Sequence, residues 1–148
     1  MFMKYYSYEN FKDDTNILIS KLKDYQFDSI IAIARGGMTL SHVVAEGLDI
    51  RNVQSIRTEL YDDTVKRKEI TIFGKCKLDN GKRVLVLDDI SDSGDTLKAV
   101  MKHLEDEFKD VEFHSATLFY KKTSVYEPDV WINEAKEWID FFWESDFK

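Results

Sequence analysis

The sequence predicts an α/β fold, a parallel sheet with helices on both faces. Three observations carry that expectation. Residues 28–34 (DSIIAIA) and 83–87 (RVLVL) are short runs dominated by apolar side chains, as in strands buried on both sides. These runs alternate with segments whose apolar residues recur at helical spacing, the pattern of strand–helix–strand units. Pro128 is the one proline, and no repeat, low-complexity tract or Gly/Ser-rich linker interrupts the chain. Its 148 residues therefore read as a single domain, 1–148.

The elements follow in order. Ser7 caps a helix to about residue 25, with Phe11, Thr15, Leu18 and Leu22 on one stripe. The strand 28–34 stops at Arg35-Gly36-Gly37, and a helix over 39–48 buries Leu40, Val43, Val44 and Leu48. Residues 53–60 form a second strand. The stretch 61–69 (YDDTVKRKE) is polar, densely charged and without apolar periodicity, which predicts a mobile loop. A short edge strand follows at 70–73, then a turn at Asp79-Asn80-Gly81-Lys82. The strand 83–87 leads to a helix over 95–108 with Leu97, Met101, Leu104 and Phe108 inward, and strands at 112–120 and 130–132 complete the sheet.

Charge and cysteine content narrow the function. Twenty-one Lys+Arg against 28 Asp+Glu leave a net charge of −7, which argues against a general nucleic-acid binder. Small anionic ligands stay open, because a local basic pocket can sit on an acidic protein. Cys76 is the one cysteine, so neither an intramolecular disulfide nor a multi-cysteine metal site is expected. No apolar run reaches the roughly 20 residues of a membrane span, and the N-terminus has no signal-peptide core. The expectation is a cytoplasmic protein. His42, His103 and His114 lack metal-ligand spacing.

The chemistry concentrates at 84–97 (VLVLDDISDSGDTL). A buried strand runs into a small-residue loop and then a helix start, which offers free N–H groups and the positive end of a helix dipole to an anion. Ser93 and Thr96 add hydroxyls, and Gly94 permits φ > 0 or a close backbone approach. Asp88, Asp89, Asp92 and Asp95 place four carboxylates in eight residues with no Lys or Arg between Arg83 and Lys98. Such crowding suits bridging by Mg²⁺ or contact with ribose hydroxyls; for Asp95 alone, a helix cap is the simpler role. Neither GxxxxGK[ST] nor GxGxxG occurs.

This stretch resembles the phosphoribosyl pyrophosphate (PRPP) motif of type I phosphoribosyltransferases: four apolar residues, two acids, two variable residues, Asp, Thr/Ser, Gly, one variable residue, Thr. Every fixed position is filled, with Ser93 in place of the commoner Thr. The resemblance implies a Rossmann-like parallel sheet flanked by helices with a small C-terminal hood, to which 120–148 contributes the base site. It implies that Asp88 and Asp89 hold ribose hydroxyls and Mg²⁺, that Ser91, Asp92, Ser93, Gly94, Asp95 and Thr96 cradle the 5′-phosphate, and that Asp92 also serves as general base near purine N7. Arg35, Gly36 and Gly37 resemble the pyrophosphate loop, in which an unusual peptide geometry is common; Arg35–Gly36 and Gly36–Gly37 are both candidates. The 61–69 stretch corresponds to the family's closing loop, with Lys66, Arg67 and Lys68 available to the leaving pyrophosphate.

The C-terminal third is similar to bacterial xanthine-guanine phosphoribosyltransferases. All three tryptophans lie in the last 18 residues. Trp138-Ile139 resembles the segment where an aromatic ring stacks on the purine and the next residue's backbone reads its 2-position. Phe142 stands before Trp143 where that family often has Pro. Lys121 corresponds to the lysine that selects 6-oxopurines, with Lys122 as the neighbouring possibility. The implied activity is transfer of phosphoribose from PRPP to xanthine, guanine or hypoxanthine, with no ranking among them, by a homo-oligomer (dimer or tetramer). Rival readings are a phosphoribosyltransferase with another base, a non-catalytic PRPP sensor, and a phospho-accepting receiver domain. A receiver would carry its acid pair after the first strand rather than late in the chain.

Overall fold

The computed structural model describes residues 3–63 and 67–148, and the side chains outside 61–68. The elements are β1 (Met3–Tyr6), α1 (Tyr8–Leu22), β2 (Ser29–Ala34), α2 (Met38–Leu48), β3 (Asn52–Asp63), β4 (Arg67–Phe73), β5 (Arg83–Ser91), α3 (Asp95–Glu107), β6 (Glu112–Tyr120), β7 (Val130–Glu134), β8 (Trp138–Phe141) and α4 (Phe142–Ser145). Six strands form one sheet in the order β4-β3-β2-β5-β6-β7, and β1 and β8 form a separate pair. Every neighbour in the large sheet is parallel except β3–β4. The expected α/β architecture is therefore observed.

Alternation along the central strands sorts the core into two layers. Ile30, Leu85 and Leu87 pack with Leu18, Leu40 and Val44 under α1 and α2. Ile31, Ile33, Val84 and Val86 pack with Leu97, Val100 and Leu104 under α3. Both layers are closed to water, which is why the strand sequences lack polar alternation. Ser7 caps α1 through a reciprocal capping box with Asn10, satisfying two otherwise free donors. No helix among the described residues is long and apolar enough to cross a membrane.

Several local expectations are corrected. The stretch 61–69 is not simply a loop: Tyr61 pairs with Glu69, Asp62 with Lys68 and Asp63 with Arg67 in an antiparallel ladder. Backbone pairing at a sheet edge requires no apolar face, so the charged sequence does not reveal it. Lys66 lies outside the described residues, as do the side chains of Arg67 and Lys68. The strand after Arg83 does not end at Leu87 but runs to Ser91, with Asp88 opposite Thr117 and Ser91 opposite Tyr120. Asp95 is not the cap of α3; Gly94 is, at φ 85°. The cis peptide is Ala34–Arg35, one bond before the two candidates.

The short strands β1 and β8 were not evident in the sequence. Met3 pairs with Trp138 and Tyr6 with Phe141 in parallel. The C-terminal hood is thus completed by the N-terminal strand. Tyr6 anchors it: the ring packs edge-on against Phe119 and Phe141, and its hydroxyl donates to Asp14 at 2.6 Å.

Candidate active site

In the strand order, β2 has β3 on one side and β5 on the other. The connections leaving β2 and β5 therefore diverge, and a crevice opens beyond their carboxyl ends, where open α/β sheets bind ligands. A cleft of about 650 Å³ lies there, lined by Arg35 and Gly36 after β2, Asp88, Asp89, Asp92 and Thr96 from β5 and the α3 start, Lys121 after β6, and Trp138 and Ile139 from β8. A second recess of about 180 Å³ is formed by the loop itself, including Ser91, Ser93 and Gly94. Gly37 and Asp95 line neither.

The Arg35 loop and the acid pair touch. A Cβ added at Gly36 would lie 2.6 Å from Oδ2 of Asp89, so the absence of a side chain at 36 is what lets the carboxylate sit there. A Cβ at Gly37 would instead strike the backbone oxygen of Leu87. Gly37 therefore sets the approach of the loop to β5.

Asp88 and Asp89 are adjacent, and Asp88 Oδ1 accepts from the N–H of Asp89 at 2.9 Å. Burial, and then the neighbouring Asp89 carboxylate, hold the Asp88 carboxyl well above its ordinary range. Burial pushes Asp89 up to about 6; a hydrogen bond with Asp88 opposes the rise, and the negative charge of Glu144 adds to it. Among the described residues neither carboxylate has a Lys or Arg partner within ion-pair distance. No group of three or more metal-ligating side chains converges among those residues either. Two crowded carboxylates open to a cleft fit Mg²⁺, which keeps waters and completes its shell with phosphate oxygens.

On the far side of the loop, Lys121 Nζ lies 3.5 Å from Asp92 Oδ1, with the two side chains 51% and 53% exposed. An ion pair this open is worth little in isolation, so an incoming ligand can part it. Lys122 instead pairs with Glu134 at 3.3 Å, so of these two neighbours it is Lys121 that lines the cleft. Trp138 is 57% exposed, a free aromatic face at the cleft wall, while Ile139 behind it is buried. The other tryptophans are engaged elsewhere: Trp143 stacks on Phe141 at 4.6 Å, and Trp131 donates to Glu127. Phe142 packs against Tyr8 and Phe11.

The loop hydroxyls divide. Ser91 is buried and donates to the Tyr126 carbonyl at 2.8 Å, so its side chain faces the protein. Ser93 Oγ accepts from the N–H of Asp95 at 3.2 Å, and Thr96 lines the cleft. Sequence reasoning missed Thr58, Lys136, Glu137 and Glu144, which also line the cleft. Lys136 and Glu137 adjoin Trp138 in sequence, a signal that was available; Thr58 and Glu144 reach the cleft through tertiary packing alone.

Comparison with known proteins agrees with this architecture. A family model described as a phosphoribosyl transferase domain matches residues 4–147. A xanthine-guanine phosphoribosyltransferase of Desulfotalea psychrophila is 30% identical over 143 residues, covering 95% of this chain and 85% of its own. One from Nitratidesulfovibrio vulgaris is 33% identical over 126 residues, covering 81% of this chain and 71% of its own. The solved xanthine-guanine-hypoxanthine phosphoribosyltransferase of Helicobacter pylori superimposes with a TM-score of 0.90 at 38% identity, over 98% of this chain and 96% of that one. A match along nearly the whole sequence, with the acid pair, loop and helix start gathered at one crevice, leaves one conclusion: the chain belongs to the phosphoribosyl transferase domain family and is a type I phosphoribosyltransferase resembling the bacterial xanthine-guanine enzymes.

Proposed function

We propose that this enzyme transfers phosphoribose from PRPP to a 6-oxopurine, giving the nucleoside monophosphate and pyrophosphate. The observation that carries the reading is the pairing, in one cleft, of an anion loop and acid pair on one wall with Lys121 and Trp138 on the other. One wall suits a phosphorylated ribose and the other a flat base bearing a hydrogen-bond acceptor. Similarity to relatives named for xanthine, guanine and hypoxanthine supports the same substrate class.

In this reading the base stacks on Trp138, which is worth about 1–3 kcal/mol for a base on an aromatic face. The Lys121 ammonium donates to the 6-oxo oxygen, an acceptor that adenine lacks. The Ile139 backbone faces the 2-position. Asp92 leaves Lys121, accepts the proton released from the imidazole ring of the base, and so raises the nucleophilicity of N9. Separation of pyrophosphate from C1′ leaves an oxocarbenium-like centre that N9 attacks, with no covalent enzyme intermediate. Arg35 and the N–H groups of its loop hold the pyrophosphate as charge grows on it. The N–H groups at the start of α3, with Ser93 and Thr96, hold the 5′-phosphate.

Asp88 and Asp89 would hold the ribose hydroxyls and Mg²⁺, which when bound supplies charge neutralisation to the pyrophosphate. The 61–69 stretch is proposed to cover PRPP, and the enzyme to act as a cytoplasmic homo-oligomer. Pyrophosphate release measured with PRPP and a panel of bases tests the reading. Turnover is expected with 6-oxopurines and not with adenine or orotate.

A further inference from the structure

We propose that Ser124 is a positioning residue for Lys121, and that with Ser91 it ties the base side of the cleft to the phosphate loop. This role rests on the function proposed above. It concerns residues 122–126, which follow Lys121 after β6 and which the proposed chemistry leaves unused.

The backbone from Lys121 to Val125 is bonded to the end of β5 and to the loop that follows it. Lys121 N–H donates to Ser91 O at 3.0 Å, Ser124 N–H closes a turn onto Lys121 O at 2.8 Å, and Val125 N–H donates to Ser93 O at 2.8 Å. The Ser91 and Ser124 hydroxyl oxygens are 2.9 Å apart. Ser91 also donates to Tyr126 O at 2.8 Å, and Ser124 Oγ accepts from Tyr126 N–H at 3.2 Å. The remaining face of the loop is filled as well. A Cβ at Gly94 would lie 2.7 Å from Tyr126 N and 3.0 Å from Val125 N, and would strike Ser124 Oγ. Gly94 therefore serves this contact in addition to its positive φ.

Ser91 is buried and Ser124 half-buried, and a hydroxyl withdrawn from water has a cost unless it is satisfied. Here each is satisfied by the other segment. Ser124 is the hub, because its hydroxyl meets both Ser91 and its own turn at Tyr126. Lys121 sits at the start of that turn with its Nζ 3.5 Å from Asp92, and Asp92 belongs to the loop being held. Loss of the Ser124 hydroxyl leaves Ser91 bonded to Tyr126, so the loop keeps its support while the turn carrying Lys121 loosens. The effect falls on the base and spares PRPP.

Steady-state kinetics of Ser124→Ala tests this. We expect KM for the 6-oxopurine to rise roughly tenfold, the scale of one lost hydrogen bond, with KM for PRPP changed less than about threefold. In a Lys121→Ala background, Ser124→Ala is expected to add less than about twofold to the base KM, since the serine acts through the lysine. Ser124→Thr, which keeps the hydroxyl, is expected to stay within about threefold of wild type. Ser124→Cys, close in size and a much weaker hydrogen-bonding partner, is expected to give the same split and serves if Ser124→Ala does not fold. Unchanged KM values, equal rises for both substrates, or an undiminished effect without Lys121 would overturn the assignment. A wild-type enzyme inactive with every 6-oxopurine would overturn the proposed function and this assignment together, whereas an active wild type with no split overturns the assignment alone.

Discussion

Replacing Asp89 by asparagine should stabilise the ligand-free protein while damaging the site. In the folded chain burial raises the Asp89 carboxyl to about 6, against an ordinary value of 3.8. A carboxyl with a raised pKa favours the folded state fully below its unfolded value and loses that advantage as pH rises through the folded one. Relative to a neutral isostere, Asp89 therefore costs nothing at very low pH, becomes costly between about pH 4 and 6 and carries a constant penalty above that. At 1.36 kcal/mol per unit, the gap from 3.8 to about 6 corresponds to about 3 kcal/mol at pH 7.5. The asparagine amide keeps the shape against Gly36 and removes the charge. Urea denaturation with EDTA present should show Asp89→Asn more stable by about 3 kcal/mol at pH 7.5 and by less than about 1 kcal/mol at pH 4. In thermal melts at pH 7.5 the same difference is roughly 6–12 °C. Adding Mg²⁺ with pyrophosphate should stabilise wild type more than the variant and narrow the gap. A variant no more stable at pH 7.5, or an advantage independent of pH, would refute the argument that the acid pair is held at electrostatic cost for the sake of its ligands.

Two further outcomes follow from the same geometry. Asp92→Asn keeps the shape of the loop and removes the proton acceptor, so kcat should fall on the order of 10²–10⁴-fold while KM for PRPP changes little; unchanged turnover in a steady-state assay contradicts the role. The two loop glycines should respond differently to alanine. At 36 the added Cβ meets the movable end of Asp89, so Gly36→Ala should lower kcat/KM for PRPP at least tenfold with a small change in melting temperature. At 37 it meets the Leu87 carbonyl between two core strands, so Gly37→Ala should lower stability by about 2 kcal/mol or more, an overpacking cost, and thermal melts of the pair decide it.

The central strands are legible because both their faces are buried, and a short run rich in isoleucine such as SIIAIA, ended by Arg35-Gly36-Gly37, fits a strand buried on both sides. The likeness of 84–97 to the family's motif is legible because its acids, hydroxyls and glycine occur at fixed spacing along one stretch. What escaped were features made by pairing rather than composition. The β3–β4 ladder runs through charged residues because an edge strand is held by its backbone. β1 and β8 are four residues each, too short for alternation to register, and their partner lies more than 130 positions away. Thr58 and Glu144 reach the cleft from distant elements. Asp88 and Asp89 resemble loop residues in sequence, whereas the ladder to β6 continues past them to Ser91.

The tie between Ser91 and Ser124 also changes how the motif reads. Gly94 fits the family pattern as a residue for close phosphate approach, yet in this chain it also receives the 124–126 turn. A motif glycine can thus answer to the chain's own packing as well as to a ligand, and sequence spacing does not separate the two.

The most direct test of the proposed activity is a base panel. Pyrophosphate release is followed with PRPP and Mg²⁺ and with xanthine, guanine, hypoxanthine, adenine and orotate in turn. Turnover is predicted with at least one 6-oxopurine and with neither adenine nor orotate, and Lys121→Ala is predicted to lose it through a raised base KM. Release of pyrophosphate with adenine or orotate in preference to every 6-oxopurine, or no release with any base, would contradict that activity.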